Sequence, residues 1–189
     1  LAVGIGVLLT LAVHAAPLQT EAEALAALQS AGTAADKEAA CRRLKEVGSA
    51  KAVPALKALL ADESLAQWAV DALQTLPARE AGEALLKALP ETSGKTKALV
   101  VFALGNRREA AAVPPLAKLA SDSDAVIAGA ATKALGQIGN EAALSALRTL
   151  RAQTSGPLRT VVNGIWQSPR LAGRRCKRVL SLSNSLFRS

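Results

Sequence analysis

Leucine and alanine return along this chain at two periods at once. Within short stretches they fall three and four residues apart, the spacing that gathers apolar side chains on one face of an α-helix. Over longer distances whole stretches repeat. "VPALKALLADES" (Val53 to Ser64) lies over "GEALLKALPETS" (Gly82 to Ser93) and over "VPPLAKLASDSD" (Val113 to Asp124) in one register. Leu25, Leu56, Leu85, Leu116 and Leu147 hold one equivalent position, separated by 31, 29, 31 and 31 residues. A second column reads Leu28, Leu59, Ala88, Leu119 and Leu150, and a third Ala52, Ala81, Ala112 and Ala143. In the preceding segment Leu44, Leu73, Leu104 and Leu135 keep the same 29, 31, 31 spacing. Columns that share one set of spacings point to a repeated structural unit, which general richness in Ala and Leu does not produce.

Each unit holds two helix-periodic segments parted by a breaker: Gly48, Pro77, Gly105 with Asn106, and Gly139 with Asn140. Polar turns, "ADES", "PETS" and "SDSD", join the units and offer helix-starting pairs such as Ser64 with Gln67. The unit is therefore a helical hairpin, expected at residues 35–62, 64–90, 94–120 and 124–152. Ahead of them a helix over 20–30, opened by a capping box of Thr20 and Glu23, carries Leu25 and Leu28 in second-helix register and forms a half-repeat cap. One hairpin cannot bury its own apolar stripe, whereas stacked hairpins share a continuous core. The expected fold is all-α, an α-solenoid (superhelix) of about four hairpins, with its repeat domain over 16–152. Beyond it, 153–189 is expected to hold a partial fifth helix, with Leu158, Val161, Val162 and Ile165 inward, and then a disordered basic tail.

Composition supports helices packed closely on helices. Half the residues are hydrophobic, with no Met or Tyr and only two Phe and two Trp. The net charge of +8 says less than its size suggests. Residues 20–155 hold 16 basic against 15 acidic residues, while 156–189 hold seven basic residues (Arg159, Arg170, Arg174, Arg175, Lys177, Arg178 and Arg188) and no acid. The high pI describes the tail, where nucleic acid or anionic lipid is the partner such a cluster attracts. The opening run LAVGIGVLLTLAV is too short to span a bilayer and fits the core of a signal peptide. Residues 1–15 are accordingly expected to be cleaved, placing the protein in the periplasm or outside the cell.

The unit "EAACRRLKEVGSAKAVPALKALLADES" and its partner "AATKALGQIGNEAALSALRTL" resemble the HEAT-like repeats of phycobilin lyases and of many bacterial proteins. The shared pattern is an Ala-rich first helix ending in Leu-x-x-Ile/Val-Gly, then Ala-x-x-x-Leu in the second. The resemblance covers residues 20–152 and implies a scaffold that binds another protein along its second helices, which line the concave side of such stacks. It also implies an alternative, a bilin lyase subunit with an open-chain tetrapyrrole ligand.

Candidate chemistry is sparse. The single histidine, His14, lies in the segment expected to be removed, so the repeats have no residue for His-based acid/base catalysis, catalytic triads or His-ligated metals. Asp62, Glu63, Glu91, Asp122 and Asp124 fall in inter-repeat turns, where carboxylates cap helices. Gly136 and Gly139 read as helix-end residues. Cys41 aligns with Val70, Val101 and Thr132 on the inward side and reads as a small core residue, whereas Cys176 sits among basic residues that favour a reactive thiolate. Trp68 shares a column with Ala39, Leu99 and Ala130 and reads as core; Trp166 belongs to the fifth unit. The candidate binding residues are Lys57, Lys87, Lys118 and Arg148, which share two neighbouring columns of the second helices and form a basic stripe along one face. The expectation is a non-enzymatic scaffold with a protein partner, no cofactor, no metal and no small-molecule substrate.

Overall fold

The computed structural model describes residues 18–30, 32–153 and 156–167, and among them every regular element is helical. In chain order these are α1 (Glu21–Gln29), α2 (Ala34–Val47), α3 (Val53–Ala58), α4 (Ala66–Thr75), α5 (Arg79–Ala88), α6 (Gly94–Asn106), α7 (Val113–Leu119), α8 (Ala125–Ile138), α9 (Glu141–Gln153) and α10 (Gly156–Gln167). Single 3₁₀ turns, Ala50–Ala52 and Ala110–Ala112, lead into α3 and α7, and a third, Leu59–Ala61, follows α3. Pro54 and Pro114 stand in the first turns of α3 and α7, where a missing N–H costs nothing. The expected signal segment 1–15, the tail beyond 167 with Cys176, and the side chain of Trp166 lie outside the described residues.

The helices form two rows. The first helices α2, α4, α6, α8 and α10 each pack on the next, and among the second helices α1 packs on α3, α3 on α5 and α7 on α9. This is an α-solenoid. Its core runs unbroken between the rows: Leu44, Leu73, Leu104 and Leu135 from one side meet Leu56, Leu85, Leu116 and Leu147 from the other, all fully buried. Each is worth about 2 kcal/mol relative to exposure. Ala52, Ala81, Ala112 and Ala143 are equally buried and let the helices approach. Leu25 is only partly buried; Ala24 and Leu28 are the buried residues of α1.

Capping follows the sequence in part. Thr20 and Glu23 form a reciprocal capping box on α1, and Thr33 and Asp36 form another on α2. Hydrogen bonds from Ser49 to Glu21, backbone N–H first, and from Gln19 and Thr20 to Glu23 hold both carboxyls below their ordinary range. Ser64, by contrast, does not cap α4: its hydroxyl donates to Asp62 Oδ1 at 2.7 Å, and Leu65 takes the cap position with no side-chain bond. Asp124 caps α8, accepting from Val126 N–H at 2.8 Å, and Asn140 Oδ1 accepts from Ala143 N–H at the start of α9.

The glycines correct the breaker reading. Gly139 ends α8 in the left-handed region at φ 57°. Gly105 breaks nothing. It lies inside α6, where a Cβ would sit 2.8 Å from Ala134 Cα, and this close approach makes α6 and α8 the most intimately packed pair. Gly136, likewise inside α8, leaves room for Ile165 of α10, whose Cγ2 would stand 2.5 Å from an added Cβ. The break after α6 instead falls at Arg107 and Arg108, the latter in the left-handed region at φ 55°.

Cys41 is buried in the first row. Burial, with the Glu38 carboxylate adding to it, pushes its thiol up to about 11. The raised value keeps the thiol protonated: its contribution to stability is full below the unfolded value near 9 and is lost as pH rises through 11. A thiol-specific disulfide reagent at pH 8 is expected to leave native Cys41 unmodified and to label it once urea unfolds the chain; labelling at one rate in both states would contradict the burial.

Candidate protein-binding face on the second helices

Lys57, Lys87, Lys118 and Arg148 stand on α3, α5, α7 and α9, four successive second helices, so the fold does place them in one layer. It does not leave them as a continuous positive stripe. Lys57 Nζ lies 3.2 Å from Glu91 Oε2 in the turn after the next helix, and Arg148 lies 3.6 Å from Glu141. Exposed pairs of this kind add little stability, but they reduce the local field. Among the described residues, Lys87 and Lys118 form no ion pair. The stripe is also interrupted by apolar side chains, because the column that holds Lys57 and Arg148 carries Leu86 and Ala117 between them.

Two surface grooves run between second helices. The smaller, about 350 Å³, lies between α3 and the end of α5 and is spanned by the Lys57–Glu91 pair. The larger, about 530 Å³, opens between α5 and α7. These two helices are held apart compared with α3 on α5 or α7 on α9. Leu86, Leu89, Pro90, Pro114, Pro115 and Leu119 make its walls almost wholly apolar, and Lys97 and Lys118 stand among them. Lys97 comes from the first turns of α6, which hold Lys95 and no acidic residue; the positive end of that helix adds to the field of the lysines.

The sequence singled out Lys118 here and missed the rest. Lys97 belongs to a first helix and sits in no second-helix column. Leu86 did carry a signal, as an apolar residue in a column otherwise polar or small, and it lies partly buried at the edge of the core beside the fully buried Leu85.

The other row presents a different surface. Arg42 lies over the Trp68 ring, 4.7 Å from its centroid, so Trp68 is a half-buried platform for a cation rather than plain core. Phe102 of α6 is half exposed, and an amide ladder runs from Gln74 to Asn106 to Gln137 along the ends of α4, α6 and α8.

Residues 82–163 match the family model of HEAT repeats. Over that span the repeats are similar to HEAT repeats. The matched span begins in α5 and ends in α10, and so takes in both walls of the larger groove. No curated protein matches the chain. HEAT repeats commonly mediate protein–protein interaction, through surfaces that a stack of rigid units extends across several helices.

Proposed function

We propose that this protein is a non-catalytic interaction scaffold whose second-helix layer meets a partner protein. The observation that carries this reading is the α5–α7 groove: an apolar trough with two lysines, set in a row of helices that a continuous core holds in place. Such a surface binds through a few well-placed side chains rather than through total area. The rigid stack supplies the geometry, and Lys57, Lys87, Lys118 and Arg148 supply orientation around the trough. Export through residues 1–15 to the periplasm or beyond belongs to the same proposal.

Affinity capture of the native protein followed by amine-reactive cross-linking tests both parts. Cross-links to a protein partner are expected at Lys57, Lys87, Lys97 and Lys118, and the native mass is expected to lack residues 1–15. Cross-links confined to Lys45 and Lys133 of the first row would move the interface to the opposite face. A visible spectrum altered by an open-chain bilin would favour a lyase subunit. Salt-sensitive nucleic-acid binding lost on deletion of 169–189 would favour the tail.

A further inference from the structure

We infer that the α5–α7 groove is a docking site for a short acidic, amphipathic segment of the partner protein, one that inserts large apolar side chains between flanking carboxylates. The inference rests on the scaffold reading and names what its central groove selects. The walls offer Leu86, Leu89, Pro115 and Leu119 to apolar side chains, in a space of about 530 Å³, within the range that takes up small organic groups. The prolines at positions 90, 114 and 115 have no N–H, so the walls offer few backbone donors and recognition falls to shape and charge.

The charge is one-sided. Lys97 and Lys118 line the groove, and among the described residues no carboxylate does and neither lysine has an acidic partner. Glu91, one residue beyond Pro90, is drawn into the neighbouring groove by Lys57. The smaller groove thus carries its own counter-charge, and the larger one has two cations to be matched from outside. Residues 1–17 and 156–189 contain no Asp or Glu. The groove is closer to an open surface than to an enclosed cavity, which suits a peptide crossing it better than an acyl chain needing enclosure.

The test is fluorescence anisotropy of the full chain with a fluorescein-labelled peptide that carries two leucines four residues apart, flanked by glutamates. Saturable binding is expected, with loss when the leucines become serines or the glutamates become lysines. The double variant Lys97→Glu/Lys118→Glu is expected to weaken binding by about tenfold or more. Ala111→Asp, which puts a carboxylate at an exposed position in the groove, is expected to weaken it comparably. Lys133→Glu on the first row is expected to stay within about twofold of the parent. Thermal melts of the variants check that the fold persists. Binding indifferent to the lysine reversals or to the serine peptide overturns the inference. So does stronger binding to phosphatidylglycerol vesicles, which would assign the groove to lipid, or dimerisation abolished by Ala111→Asp, which would assign it to a second copy. If the peptide fails while partner cross-links still map to α3, α5, α7 and α9, the groove inference falls and the scaffold stands. Cross-links confined to Lys45 and Lys133 would remove both.

Discussion

Replacing Gly105 with alanine is expected to destabilise the protein by about 2 kcal/mol, whereas the same replacement at Gly129 is expected to stabilise it by up to about 1 kcal/mol. Both glycines belong to long helices of the first row, Gly105 to the last turn of α6 and Gly129 to the interior of α8, and both lack the helix propensity of alanine. Only their surroundings differ. A Cβ on Gly105 would stand 2.8 Å from both Cα and Cβ of Ala134, and the Gln137 amide crowds the same space. Ala134 Cα belongs to backbone, so relief requires α6 and α8 to separate along their whole contact. A Cβ on Gly129 meets nothing within 4 Å. Urea unfolding of the two variants measures the difference directly, and changes of one sign at both sites would show that the α6–α8 approach is not set by Gly105. Because α6 also supplies Lys97, moving it bears on the groove: Gly105→Ala is expected to weaken the peptide interaction more than Gly129→Ala does.

The architecture was legible because burial in a stacked repeat recurs at a fixed spacing. Four leucines of each helix row, and the four alanines that begin the second helices, are the residues whose identity the core dictates, and they stand at zero exposure. What the sequence concealed lies between repeats. Gly105 followed by Asn106 reads as a helix stop, and nothing local reveals that its missing side chain is needed sideways, against a residue of the next hairpin. Lys57 and Glu91 are 34 positions apart, so the pairing that neutralises one candidate and leaves Lys118 unmatched has no local signature. The groove has the same character: its walls come from α5, the turn after it, α6 and α7, and its width depends on how far α5 and α7 stand apart. Columns identify which residues share a helix face. They do not give the distance between neighbouring faces, and that distance decides whether a row of lysines and leucines is a solvated surface or a binding trough.

Arg107 shows how one charged residue joins neighbouring repeats, and its replacement by alanine is expected to cost about 2 kcal/mol. It occupies the position held by Val47, Leu76 and Ile138 in the other hairpins, so by pattern it should be apolar. Its partner is the end of α4. That helix is followed by Pro77, which has no N–H to offer the last carbonyls, whereas α8 ends on the left-handed Gly139 and closes on itself. Arg107 supplies the missing donors from the next repeat: its Nη1 donates to the carbonyls of Leu73 at 2.9 Å, Gln74 at 3.1 Å and Leu76, and its Nη2 to that of Ala78 at 2.9 Å. Gly82 leaves space beside it for the Glu109 carboxylate. Burial lowers the guanidinium pKa and Glu109 opposes the shift, so the group stays a cation. Lysine has one nitrogen and lacks the planar fork, so Arg107→Lys is expected to recover half or less of the loss. Because the acceptors are carbonyls rather than exposed carboxylates, the loss is expected to persist at high salt, where surface ion pairs are screened. Arg108→Gly, made alongside, relieves a left-handed residue and is expected to add about 0.5 kcal/mol. Urea unfolding at low and high salt separates these outcomes. An Arg107→Ala variant as stable as the parent, or one whose deficit vanishes in salt, would mean that the end of α4 is satisfied by water and that the second and third repeats are joined by apolar contact alone.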